Sequence, residues 1–150
     1  YQISQTALTD YKAKVVETIG EKKEREIKEK IAQDEVRKKP INNTQVIVTS
    51  KGNTLCMDSI SGRVFRSDID VIRKVVNELN REMTYQNYIS LDEFYDRLGL
   101  EPIKNGSELG WNIDNGLIEL DFSAHLTQDE EPCLYIDYSI APRYDFNKMA

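Results

Sequence analysis

Between Gly116 and Ile140 the sequence reads GLIELDFSAHLTQDEEPCLYIDYSI, and its alternation decides the fold class. Ile118, Leu120 and Phe122 alternate with Glu119, Asp121 and Ser123. Leu134, Ile136, Tyr138 and Ile140 alternate with Tyr135, Asp137 and Ser139. Successive side chains of a strand point to opposite faces, so this period of two predicts half-buried strands. The acidic run Gln128-Asp129-Glu130-Glu131-Pro132 between them is an exposed loop. Two such neighbours predict an antiparallel sheet with one face covered and one wet.

Upstream, Leu109 to Ile113 reads as a further strand, with Asp114-Asn115-Gly116 as a tight hairpin turn. The cover comes from two helices. Ile69, Ile72, Val76, Leu79 and Met83 recur at steps of three and four, behind Ser67 as N-cap and with Asp68 and Asp70 in the first turn. Ser90 and Glu93 form a capping box for a short helix carrying Leu91, Phe94, Tyr95 and Leu98, and Gly99 ends it. Val46-Ile47-Val48, Leu55-Cys56-Met57 and Arg63-Val64-Phe65 read as a small meander, with Lys51-Gly52-Asn53 as a hairpin turn between the first two.

The N-terminal stretch from Thr6 to Lys39 reads as one long helix. Its first half carries the stripe Leu8, Tyr11, Val15 and Ile19, a candidate interaction face. Its second half is almost wholly charged, with acid-before-base pairs at i,i+4 in Glu21–Arg25, Glu24–Lys28, Glu26–Lys30 and Asp34–Lys38. Gly20 is the expected bend, and Pro40 cannot continue the helix. At ~1.5 Å per residue such a helix reaches roughly 50 Å, more than a domain of this size covers. The expected organisation is a helical stalk or spacer over residues 1–40 and an α+β domain over 41–150. That domain combines an antiparallel sheet of about five to six strands with two helices.

The chain of 150 residues carries a formal net charge of −6. This balance speaks against nucleic acid, which requires a basic face to replace counterions. The first 40 positions nonetheless hold 10 of the 20 basic residues. Cys56 and Cys133 are too few for a disulfide framework; both fall in strand-like runs, where a free thiol behaves as a small hydrophobe, and a bond between them stays open. No stretch reaches the ~20 apolar residues that a bilayer span takes.

Catalytic patterns are wanting. His125 stands alone beside the acidic loop, and a zinc site built from Cys56, Cys133 and His125 lacks a fourth ligand and any CxxC spacing. Glu119, Asp121 and Asp137 could share a sheet face as acid–base partners, but the same alternation describes any solvated face. There is no GxSxG, SxxK, GxGxxG or P-loop. No metal or cofactor is expected. Trp111, Tyr135 and His125 are candidate ligand-binding residues, should an aromatic groove exist.

Several of these segments together carry a likeness. They are Val15 to Lys23; Gly52 to Cys56 with Asp58 and Ser61-Gly62-Arg63; and Tyr88 to Leu91 with Phe94-Tyr95 and Leu98-Gly99-Leu100. Leu109 to Asn112, Gly116 to Leu120, Pro132-Cys133 and Ala141 to Phe146 continue it. In this order the chain resembles an uncharacterised family of phage and prophage proteins of Firmicutes and other gut bacteria, a domain of unknown function. The resemblance implies apolar membrane segments ahead of the helix in longer members, and it supplies no catalytic residues. The expected function is therefore a non-enzymatic domain of a membrane-anchored protein, working through a protein partner or self-association by the N-terminal helix. A module that binds a small ligand or peptide during phage infection or evasion of host defence is the alternative.

Overall fold

A computed structural model describes residues 5–38 and 46–148, with side chains of the first helix from Lys22 onward. The described residues form an α+β fold of three α-helices, a mixed five-stranded sheet and a two-stranded sheet. In chain order they are α1 (Gln5–Lys38), β1 (Ile47–Val48), β2 (Thr54–Asp58), β3 (Val64–Ser67), α2 (Ile69–Gln86), β4 (Tyr88–Ser90), α3 (Leu91–Leu98), β5 (Gly110–Asn112), β6 (Leu120–Leu126) and β7 (Pro132–Tyr138). The large sheet runs β1-β3-β2-β7-β6, and β4 pairs with β5 alone.

The expectation of an antiparallel sheet is corrected here. β2–β3 and β6–β7 are antiparallel hairpins, but β1 lies parallel to β3 and β2 lies parallel to β7. Parallel neighbours need a long crossover, and the run α2–β4–α3–β5 between β3 and β6 supplies it for the β2–β7 pair. Alternation reports only which side chains share a face, so it reads the same for either strand direction.

Nor is one face left wet. On one side Cys56, Phe65, Ile136 and Tyr138 pack with Ile72, Leu79 and Met83 of α2 and with Leu91, Phe94, Tyr95 and Leu98 of α3. On the other, Leu55, Met57, Cys133 and Tyr135 pack with Ala32 and Val36 of α1. Val36 is 0% exposed. The charged half of α1 is thus anchored at its C-terminal end by two apolar residues. Ile27 and Ile31 of the same helix are more than half exposed. Of the expected charge pairs, Glu24–Lys28 closes at 3.6 Å with both side chains well exposed, a contact of a few tenths of a kcal/mol. The side chains of Leu8, Tyr11, Val15 and Ile19 lie outside the described residues.

Two turns and one helix cap differ from expectation. Lys51-Gly52-Asn53 does not make a hairpin, because β1 and β2 are separated by β3. The loop crosses the end of β3 so closely that a Cβ on Gly52, whose φ is 151°, would lie 2.5 Å from the Ser67 carbonyl oxygen. Ser67 closes β3 and Asp68 is the N-cap of α2, accepting from the Asp70 N–H. Ile113–Asn115 is a 3-10 turn that ends β5 rather than a hairpin. The capping box of Ser90 and Glu93 and the left-handed Gly99 after α3 are as expected. The irregular tail packs down through Phe146, which is 4% exposed, and through a backbone bridge between Arg143 and Gly110.

Candidate interaction edge

The buried polar chemistry of the fold centres on Asp58, which is 1% exposed at the end of β2. Its carboxylate accepts from Tyr95 Oη at 2.6 Å, from Ser61 Oγ at 2.7 Å and from the Ser61 N–H at 2.9 Å, and also from Tyr138 Oη. Burial, reinforced by the Asp58 charge, pushes the phenols of Tyr95 and Tyr138 well above their ordinary range, so both remain donors. Arg63 covers the cluster: its guanidinium lies 4.6 Å from the centre of the Tyr95 ring and donates to Ser61 Oγ and the Glu101 carbonyl. With these donors on a buried carboxylate, Asp58 ties the β2–β3 turn to α3 and β7. That is a structural lock. No local pattern marks it, because an acidic residue at a strand end looks like a turn residue.

The anticipated ligand residues are not gathered in one place. Trp111 is 2% exposed in the core on the α2–α3 side, stacked on Tyr138 at 6.0 Å, with Nε1 donating to the Ile140 carbonyl at 2.8 Å. Tyr135 and His125 lie on the opposite face. There His125 sits across from Cys133, and its Nε2 is 2.9 Å from Ser123 Oγ. Both thiols are free and buried. Cys133 is registered with Leu55 and Cys56 with Leu134, so the two sulfurs point to opposite faces and do not bond. Burial raises the Cys56 thiol to about 11 and the Cys133 thiol to about 12.

The carboxylates separate as well. Asp121 and Asp137 face each other across the β6–β7 ladder and line a groove of about 270 Å³ beneath α1, with Arg25, Lys28 and Tyr135. Glu119 lines a second groove, also about 270 Å³, beside Arg73, Asn77 and Asn80 of α2. Phe122 lines both. The two grooves therefore flank one element, the outer strand β6.

β6 is the long outer strand of the sheet, with α1 passing over one of its faces. Ser139 N–H donates to the Glu119 carbonyl and Thr127 N–H to that of Glu131, which fixes the phase of the ladder. Hydrogen-bonded pairs alternate along antiparallel strands, so Asp121, Ser123 and His125 bond inward to β7. The N–H and C=O groups of Leu120, Phe122, Ala124 and Leu126 point outward. Among the described residues no hydrogen bond reaches them. One residue earlier in the same phase, Ile118 is satisfied by Asn80, whose amide donates to its carbonyl at 3.0 Å and accepts from its N–H at 2.8 Å. No residue of β6 is fully buried, and Leu126 is 47% exposed.

A family model matches residues 1–147, that of a family of unknown function, DUF6353. The chain belongs to that family. No curated protein and no solved structure matches it. Among its described residues the chain carries its polar chemistry in two places, a saturated lock inside around Asp58 and an unpaired row of backbone groups on β6 outside. Among its described residues no helix is long and apolar enough to cross a membrane, and no cluster of three or more His, Cys, Asp and Glu is placed to hold a metal ion.

Proposed function

We propose that this DUF6353 chain is a non-enzymatic interaction domain that takes up an extended protein segment by strand addition at β6. The observation that carries the reading is the outward row of backbone groups at Leu120, Phe122, Ala124 and Leu126, flanked by a groove on either side. An added strand gains main-chain hydrogen bonds along such an edge. Its alternate side chains enter the α1 groove, with Arg25, Lys28, Asp121 and Asp137, and the α2 groove, with Arg73, Val76 and Asn80. The resemblance to phage and prophage proteins supports a phage-encoded, membrane-anchored context, in which α1 connects the domain to segments ahead of it. The stripe Leu8, Tyr11, Val15 and Ile19 is a second contact in this reading.

The test is selection of short peptides from a random display library against the whole chain, followed by binding to the Ala124→Pro variant. Ala124 points its N–H outward, so proline there removes an edge donor without breaking the bonds to β7. Selected peptides should share a period of two and lose at least tenfold in affinity for the variant. Failure to select any peptide with a chain that is monomeric, or equal binding to both proteins, overturns strand addition.

A further inference from the structure

The unpaired run of β6 has two defined ends. At one, Asn80 occupies the backbone of Ile118. At the other, the strand gives way after Leu126 to the turn held by Thr127 and Glu131. The outward residues Leu120, Phe122, Ala124 and Leu126 are therefore symmetric about Ser123. We propose that the occupant of this edge is β6 of a second copy of the chain, antiparallel about a two-fold axis at Ser123. This rests on the reading of β6 as an interaction edge and names its partner.

Among the registers that keep outward groups opposite outward groups, three engage three or more of the four outward residues, with the axis at Phe122, Ser123 or Ala124. Only the axis at Ser123 pairs the whole run with itself, Leu120 against Leu126 and Phe122 against Ala124 of the other copy. Each of these narrow pairs exchanges two backbone hydrogen bonds. On the α2 side the exposed Leu126 is covered by a leucine, and the large Phe122 meets a methyl group. On the α1 side Asp121 falls opposite His125 of the second copy, twice by symmetry, so the carboxylate faces an imidazole N–H donor. With the axis at Phe122 two phenyl rings oppose each other and Asp121 faces Ser123. With the axis at Ala124 it faces Thr127, beyond the strand. A two-fold interface must be self-complementary, and the Ser123 axis satisfies backbone, apolar and charged positions together.

Sedimentation of the full chain over a concentration series reads the association directly. A monomer–dimer equilibrium is expected, with the dissociation constant raised at least tenfold in Ala124→Pro and in Ala124→Lys. Circular dichroism of both variants should match the parent. Hydrogen exchange of the unmodified chain needs no variant: amides of Leu120, Phe122, Ala124 and Leu126 should slow at least tenfold between dilute and concentrated samples. Those of Asp121, Ser123 and His125 should be slow in both. Ser123→Cys places two thiols across the axis and should give a cross-linked dimer on mild oxidation, mapped to position 123 by mass spectrometry. Asp121→Cys should not. A chain that stays monomeric at every concentration, or a dimer unmoved by both Ala124 variants, overturns self-pairing. If the chain is monomeric while selected peptides still bind β6, self-pairing alone fails; if neither occurs, the interaction reading fails with it.

Discussion

Replacing Asp58 by alanine tests whether the buried cluster is a structural lock. The carboxylate is the acceptor for the Tyr95 and Tyr138 hydroxyls, in residues that are 0% and 8% exposed. Each buried donor left without an acceptor costs about 1–3 kcal/mol. Two of them place the loss at about 4 kcal/mol, with Ser61 near enough to solvent to be rehydrated. For a domain of this length about 2–4 °C accompanies each kcal/mol, so Tm should fall by about 8–16 °C. The decisive measurement is a cycle in the Tyr95→Phe/Tyr138→Phe background, followed by urea denaturation. With both hydroxyls gone there is no orphaned donor, and Asp58→Ala should cost at least about 2 kcal/mol less than in the parent. An equal cost in both backgrounds would refute the argument, since the loss would then come from the cavity or the turn.

Val36→Ala, at the point where α1 meets Leu55, Met57 and Tyr135, should lower stability by about 2 kcal/mol in urea denaturation; a helix that served only as a spacer would show no change. Gly52→Ala should cost about 1–3 kcal/mol on the same measurement, because its Cβ has no room beside the Ser67 carbonyl. Raised thiol and phenol values make stability pH-dependent on the alkaline side. The unfolded chain releases these protons from about pH 9 for the thiols and about pH 10 for the tyrosines, while the folded chain holds them. Their contribution is therefore complete below about pH 9 and is lost as pH rises through 11 and 12, which urea midpoints between pH 8 and 11 will show as a steady fall. Both cysteines should react with a disulfide reagent at pH 8 only as fast as the chain opens, and a rapid first thiol would contradict their placement.

What was legible in the sequence follows from what local patterns encode. The capping box at Ser90 and Glu93 and the apolar stripe from Ile69 to Met83 depend on neighbours within a few positions, and both elements stand where the pattern puts them. Strand direction depends on distant connections. Leu134 to Tyr138 alternates identically whether β7 meets β2 parallel or antiparallel, so the mixed sheet was hidden. Gly52 reads as a turn residue, but the strand it crosses lies twelve or more positions further on. Ala32 is hidden by composition, and Val36 reads only as part of a thin continuation of the stripe with Ile27 and Ile31, since isolated apolar residues among charges do not say which of them a sheet face will cover. Asp58 and the outward phase of β6 are tertiary facts of the same kind.

The two edges of the sheet explain why β6 is the one that invites a partner. Proteins blunt exposed edges by shortness, by lysine or proline on the strand, by bulges or by a covering element. β1 is two residues long, which leaves little to pair with. β6 has seven residues, Leu120 to Leu126, with neither lysine nor proline, and its ladder with β7 runs without a bulge from Leu120↔Tyr138 to Leu126↔Pro132. Asn80 shows what protection would look like, because it answers the Ile118 backbone as another strand would, and nothing comparable follows among the described residues. An edge capped at one residue and left open at the next four outward positions satisfies its backbone with water when alone and with another strand when paired. Isolated, it is the part of the sheet most prone to association; paired about Ser123, it becomes an internal strand of a sheet shared by two copies.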